Sequence, residues 1–336
     1  MKKNRQEKDR PGIITLMYHR VNVADTDPWG ICVSPENFEE QVKVLKANFD
    51  VISVDDLVNR LTCGNTGTNE VCITFDDGYA DNILYAKPVL ESYDCPATFF
   101  IATGFIDQPG FWWDELETIF LYSKLLPRQL ILEMGGKPET FLITDEVLSP
   151  EQWLQHKRWR WYQPPPTSRC SIYMHIWEKL RAMESGSIIS VMSKIKAWRG
   201  YEETNNNSRL PVKARQLHDL VKNNLFRIAA HTHTHCDLSK GSGNIQREEI
   251  LASKNYLLEN YGVESNFLSY PFGRYNDDTL TLVNDLQLGA CFTTAANTIA
   301  TGVDKNLLGR YQVFNWNGVA FEKQIRKWLT WPVQAV

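Results

Sequence analysis

Two short runs carry residue types that could together hold a metal ion and move a proton. The first, Thr74-Phe75-Asp76-Asp77-Gly78, sets adjacent carboxylates directly after the apolar run VCITF. In an extended strand neighbouring side chains point apart, but a turn eased by Gly78 lets both acids face one cleft. One acid could then hold a cation while the other takes a proton from water. A solvated Asp-Asp-Gly turn is the alternative reading of that motif taken alone. The second run, His231-Thr232-His233-Thr234-His235, gathers three of the seven histidines into five residues. The spacing of four puts His231 and His235 on one face if a helical turn begins there, the geometry for two imidazoles on one ion. His233 would point away, in a supporting role. Two His and one Asp with open positions for water and substrate make a hydrolytic rather than a structural metal site.

The elements around these runs predict what positions them. GIITLMYH, VCITF, ATFFIA, LFRIAAH, SNFLSYPF and GACFTT read as strands, with helical patterns between them. Ser34 can cap the helix in SPENFEEQVKVLKANF, with Pro35 at its first position. DNILYAKPVLESY reads as helix, kinked by Pro88. Strands alternating with helices imply a parallel α/β sheet, closed or nearly closed into a barrel whose strand ends collect catalytic groups.

The rhythm breaks between about residues 105 and 207, so the chain reads as a single domain, 1–336, with a mixed α+β insertion over 105–207. RQLILEM-GGK-PETFLIT predicts a hairpin, SPEQWLQHKRWRWYQPPP is aromatic and basic, and two helical patterns follow before the polar loop ETNNNS.

Composition narrows the function class. A net charge of −4 argues against non-specific nucleic-acid binding, which needs clustered Lys and Arg. Seven scattered cysteines without a CxxC pair argue against a disulfide framework or cysteine zinc site and for a reducing compartment. No run of about 18 apolar residues predicts a transmembrane helix, and MKKNRQEKDRPG has no apolar h-region behind it. These observations lead to an expected cytoplasmic location.

Taken in order, TFDDG, ATFFIATG, H-T-x-T-H followed by Asp237-Leu238-Ser239, YPFG and FTT resemble the polysaccharide deacetylase family. That family includes the NodB-homology domain and is carbohydrate esterase family four. The resemblance covers roughly residues 13–110 and 212–330. It implies a distorted, incomplete (β/α) barrel and a metal-dependent N-deacetylase acting on an amino sugar. By that resemblance Asp76 is the catalytic base, and Asp77, His231 and His235 are the metal ligands. The backbone N–H of Phe272, in Tyr270-Pro271-Phe272-Gly273, is the oxyanion donor, with Tyr270 near the substrate. The implied ion is Zn²⁺, with Co²⁺ or Ni²⁺ also accepted by such a donor set.

The sequence departs from the family at two places. Ser269 stands where many members carry the Arg that orients the catalytic Asp, and Arg310 is the candidate substitute. The usual C-terminal general-acid His is missing, since no His follows His235. Met17-Tyr18-His19-Arg20 resembles a branch of the family in which a Tyr-His pair precedes the Asp-Asp motif. In a closed barrel first and last strands are neighbours, which makes His19 the candidate general acid. Trp112 and Trp113 could wall the cleft and stack on a sugar, although WWDEL also reads as a helix start. The expected substrate is a nucleotide-linked, lipid-linked or free amino sugar destined for a surface glycan. The alternatives are a same-fold deformylase or amidase, or a non-catalytic carbohydrate-binding protein on a decayed barrel.

Overall fold

The structure, a computed structural model, describes residues 12–67, 69–200 and 209–330. The charged N-terminal run to residue 11 and the ETNNNS loop lie outside the described residues. The chain divides into two compact units, one of residues 1–23, 31–107 and 212–336, the other of residues 24–30 and 108–211.

The first unit is built on a parallel sheet. Its strands are β1 (Ile14–Tyr18), β2 (Glu70–Phe75), β3 (Ala97–Ile101), β4 (Phe226–Ala230), β5 (Phe267–Ser269), β6 (Ala290–Phe292) and β7 (Tyr311–Gln312). They run in the spatial order β6-β5-β4-β3-β2-β1-β7, and Asp50–Val51 pairs beside the start of β2. The sheet curls into an incomplete barrel. Residues 308–312 nearly close it: the Thr293 N–H donates to the Leu308 carbonyl at 2.8 Å, while Tyr311 pairs with Leu16 of β1.

Period-two alternation explains the two faces. Ile14, Leu16, Tyr18, Val71, Ile73, Phe75, Phe99 and Ile228 form one core with Phe38, Val42 and Leu45 of the helix α1 (Pro35–Asn48). The alternate positions, among them Cys72, Phe100, Ala229, Phe292 and Leu308, form a second core. Thr74 and Asp76 belong to the same alternate set, so the polar site grows from that second strand face.

Local chemistry sets the element ends. The Ser34 hydroxyl accepts the Asn37 N–H at 3.2 Å, and Pro35 opens α1. At the expected kink, residues Asn82–Ala86 form a π-helical turn, and a fresh α-helix, α2 (Lys87–Ser92), begins there. Pro88 therefore sits in a first turn, where its missing N–H costs nothing. The helix α3 (Gly243–Tyr261) packs behind β4.

The second unit has its own core. Gln129–Met134 and Lys137–Leu142 form an antiparallel hairpin through Gly135 and Gly136, both at positive φ. Helices Trp112–Glu117, Pro150–Arg158, Ser168–Arg181 and Ser185–Arg199 complete it. At its centre the buried Arg209 guanidinium meets Glu117 at 2.7 Å and Asp114 at 3.5 Å. Thr26, from the short 24–30 segment, donates its hydroxyl to Glu117, which ties that segment to the insertion.

Candidate active site

The end of β2 supplies both acids. Asp76 continues the strand, its N–H donating to the Tyr18 carbonyl at 3.0 Å. Asp77 then turns into the left-handed region at φ 72°, followed by Gly78 at φ 89°. That reversal, rather than strand alternation, separates the two carboxylates and fixes their different partners.

Asp77 faces the histidines. Its Oδ1 lies 3.4 Å from His231 Nε2 and 3.2 Å from His235 Nε2. One donor atom from each of the three buried side chains lies within 4.8 Å of the others. His231 donates Nδ1–H to the Ser269 carbonyl at 2.8 Å, which leaves Nε2 with its lone pair toward Asp77. Burial holds the His235 pKa below the usual histidine range, the neighbouring Asp77 opposing only in part. A neutral imidazole is the form that binds a metal. The donor set, its tautomer and its closeness fit a divalent ion held by one carboxylate and two imidazoles.

The loop carrying these histidines is not the helical turn expected from their spacing. Thr232 and His235 adopt φ of 60° and 56°, which a right-handed helix excludes. Strain of this kind in a β-branched residue persists only where neighbours over-determine it. Glu249 of α3 supplies part of that restraint, accepting the His233 and Thr234 N–H groups at 3.0 and 2.8 Å and the Thr234 hydroxyl at 2.7 Å. From the other side the Gly104 N–H donates to the His233 carbonyl at 2.7 Å. A Cβ at Gly104 would come within 2.7 Å of that oxygen, so glycine is required there. His233 itself bonds Thr103 Oγ1 through Nδ1 at 3.0 Å.

Asp76 is gripped elsewhere. Arg310 donates to it bidentately, Nη1 to Oδ1 at 2.7 Å and Nη2 to Oδ2 at 2.6 Å. Ser269 fits between them, donating to Asp76 Oδ2 at 3.1 Å and accepting from Arg310 Nη2 at 2.7 Å. A serine at 269 therefore leaves room for an arginine that arrives from residues 308–312. Burial pushes the Asp76 pKa up, but the neighbouring polar groups, the Arg310 guanidinium foremost, outweigh it and hold the carboxyl below its ordinary value. Burial likewise raises Asp77, and the close approach of the His231 and His235 side chains outweighs it and brings the carboxyl well below its ordinary value.

The remaining candidates divide. His19 directly follows β1 and lies near enough to Asp76 and Asp77 to act on both electrostatically. Its Nδ1 is buried with no hydrogen-bond partner among the described residues. Phe272 takes φ 59° and packs its ring edge-on against His235, centroids 4.6 Å apart. Tyr270 does not meet substrate through its side chain: the ring is wholly buried and its hydroxyl donates to the Asn306 carbonyl at 3.0 Å. Strand direction explains this correction, since the ring follows β5 into the core shared with Leu268 and Leu282. Trp112 and Trp113 are buried in the second unit, Trp113 stacked on Phe111 at 4.6 Å, and act there as core rather than as open sugar platforms. The sequence reading missed Glu249 and the hydroxyl role of Ser269. A lone acid on an amphipathic helix carries no signal of the loop it will restrain.

Comparison with known proteins fits this geometry. The family model described as polysaccharide deacetylase matches residues 64–122 and 195–291. The chain is a member of the polysaccharide deacetylase family. It is 29% identical over 135 residues to the poly-beta-1,6-N-acetyl-D-glucosamine N-deacetylase of Staphylococcus epidermidis, covering 37% of this chain and 45% of that protein. The protein of the same name from Staphylococcus aureus is 22% identical over 330 residues, 94% of this chain and 82% of the relative. Among solved structures, Streptococcus pyogenes deacetylase PplD in complex with acetate has a TM-score of 0.60 at 17% identity, covering 95% of this chain and 99% of that one. IcaB from Ammonifex degensii has a TM-score of 0.59 at 15% identity, covering 96% and 98%. These two likenesses establish the fold. No helix among the described residues is long and apolar enough to cross a membrane.

Proposed function

We propose that this deacetylase-family chain removes the N-acetyl group from an amino sugar in a glycan, using a divalent ion held by Asp77, His231 and His235. The observation that carries the proposal is the pairing of two differently held acids: Asp77 among imidazole donors and Asp76 clamped by Arg310. A divalent ion in such a donor set, Zn²⁺ first and Co²⁺ or Ni²⁺ as alternatives, supplies Lewis acidity toward an amide carbonyl and toward water. Asp76, kept ionised by Arg310, accepts the proton of the attacking water. The backbone N–H of Phe272 is assigned to the developing oxyanion. His19 is assigned to protonate the departing nitrogen, because an amide anion is too poor a leaving group to depart alone. Its buried Nδ1 and its closeness to both acids support that assignment.

The substrate class proposed is an N-acetylhexosamine residue, in a β-1,6-linked polymer of N-acetylglucosamine as the names of the relatives suggest, or in a lipid- or nucleotide-linked precursor of a surface glycan as expected from the sequence. A cytoplasmic location is proposed on the seven cysteines, scattered along the chain and joined in no disulfide among the described residues; cell fractionation tests it. The test of function is acetate release from a panel of N-acylated amino sugars and their β-1,6-linked oligomers. Turnover should require added metal and be abolished by Asp76→Asn while metal content is kept. Formate release in preference to acetate, or turnover unaffected by Asp76→Asn, would overturn the proposal.

A further inference from the structure

The second unit presents an aromatic turn for which the proposed reaction has no use. Trp161 and Tyr162 follow the helix Pro150–Arg158 and are 51% and 69% exposed. Exposed rings of this size usually sit on mobile loops or mark an interaction site. This turn is fixed. The Trp161 N–H donates to the Pro28 carbonyl at 2.9 Å, and the Arg160 N–H donates to Gln163 Oε1 at 2.9 Å. The buried Trp159 indole donates to the Gln163 carbonyl at 3.2 Å. Trp161 stacks on Trp29 at 6.0 Å and 25°, Trp29 packs on Trp177 at 4.2 Å, and the Trp29 indole N–H donates to the Tyr173 hydroxyl at 2.8 Å. One side of the Trp161 ring is thus backed by an aromatic stack rooted in the core. Tyr162 stands almost perpendicular beside it, at 84° and 6.1 Å. The result is a preformed corner with an apolar floor and a phenol wall. Little ordering entropy remains to be lost on binding.

The corner is also cationic. Lys157 is paired with Asp25 at 2.9 Å, whereas Arg160, in the turn itself, donates Nη1 to the Lys157 and Trp159 carbonyls at 3.4 and 3.0 Å, and neither it nor Arg158 has an ion pair among the described residues. We infer that the Trp161–Tyr162 corner is an accessory binding site for a neutral, still N-acetylated stretch of glycan. This inference takes its substrate class from the function proposed above. A pyranose offers a C–H face to the indole floor and hydroxyls to Tyr162 and the guanidinium groups. Deacetylation turns each neutral residue into an ammonium, which the two unpaired arginines repel. The corner therefore holds unprocessed polymer and releases processed polymer. Trp, Tyr and Arg together would also suit an anionic bilayer, but two rings on one rigid turn make a small apolar footprint, short of a lipid-inserting helix face.

The test uses the full chain carrying Asp76→Asn, so that the ligand is not consumed. A β-1,6-linked N-acetylglucosamine pentamer and its fully deacetylated counterpart are titrated calorimetrically. The acetylated pentamer should bind more tightly, with the gap narrowing at high salt. Trp161→Ala should weaken its binding roughly three- to ten-fold, the size of one aromatic stacking contact, and Trp161→Phe should restore most of it. In the catalytically intact chain, Trp161→Ala should raise KM for polymer with kcat unchanged and leave monosaccharide kinetics untouched. Pentamer binding that is undetectable, or unaltered in Trp161→Ala with an unchanged unfolding midpoint, overturns the proposal. So does loss of binding to phosphatidylglycerol vesicles without loss of pentamer binding. Equal affinity for the two pentamers overturns the charge selectivity. Because binding is read without turnover, the accessory site can fail while the hydrolytic reading stands, and the reverse.

Discussion

Arg310→Met tests whether the buried ion pair organises the site. Arg310 is fully buried and Asp76 is 3% exposed. Besides its two bonds to Asp76, Arg310 donates to Thr74 Oγ1 at 3.2 Å, Ser269 Oγ at 2.7 Å and the Thr293 carbonyl at 3.0 Å. Methionine nearly fills the space but leaves Asp76 with one side-chain donor, Ser269. Removing one partner of a buried pair costs about 3–5 kcal/mol, because the other charge stays buried without compensation. For a unit of this size that lowers Tm by about 6–20 °C.

The pH dependence separates this cause from lost packing. In the native protein Asp76 titrates below its ordinary value. The pair therefore stabilises the fold above the unfolded carboxyl pKa, and this contribution is lost as pH falls through the folded pKa. In Arg310→Met the burial effect is no longer offset by the guanidinium, and the Asp76 pKa rises. Its ionised form then destabilises the fold at neutral pH, and protonation relieves that cost in acid. The stability gap between the two proteins should be widest at pH 7–8 and narrow toward pH 4. Urea unfolding of the chelator-treated proteins across that range measures it. In an Asp76→Asn background the same substitution should cost less than half as much, a double-mutant cycle with clear coupling. A gap independent of pH, together with additive losses, would refute the reasoning.

His231→Ala, His235→Ala and Asp77→Ala should each lose bound Zn²⁺ in elemental analysis, while His233→Ala keeps full stoichiometry; full occupancy in His235→Ala would sink the ligand assignment. Glu249→Ala should weaken metal affinity roughly 10–100-fold, with loading recovered at high metal concentration, because it frees three donors that hold the histidine loop. Unchanged affinity would mean the loop holds its shape without Glu249. His19→Ala should keep its metal yet lose kcat by roughly 10²–10⁴-fold on an amide, and less on an activated acetate ester. Equal losses on both would remove His19 as the acid.

Much of the fold was legible because it follows from local rules. Ser34-Pro35 starts a helix, Gly135-Gly136 turns a hairpin, and the short apolar runs VCITF and ATFFI place two strands buried on both faces. The acid and histidine runs were legible because several ionisable groups at one strand end have few bland explanations. What escaped depended on contacts distant in sequence or on backbone reversals. Arg310 was read as the candidate substitute for the missing arginine, but its route to Thr74 and Asp76, across more than 230 residues, rests on the pairing of residues 308–312 with both β6 and β1, which no local pattern announces. Spacing of four suggested a helical turn at His231, whereas left-handed conformations at Thr232 and His235 bring the two imidazoles together by another path. Tyr270 looked like a cleft residue because of its motif, but burial against Asn306 assigns it to the core.

The absence of arginine at position 269 raised the alternative of a decayed barrel that binds sugar without acting on it. The contacts at Asp76 weigh against that reading. Ser269 and Arg310 together give the carboxylate three donors, so the guanidinium has changed its strand of origin without being lost. A buried pair alone could survive as fold support, since leaving either charge unpaired is costly. The histidine loop has no such structural justification. It holds two non-glycine residues in the left-handed region, each costing on the order of 1–3 kcal/mol. It also crowds two imidazoles and a carboxylate into one buried cluster. A cation held there, as in the function proposed above, would offset the strain and give the three donors a common partner.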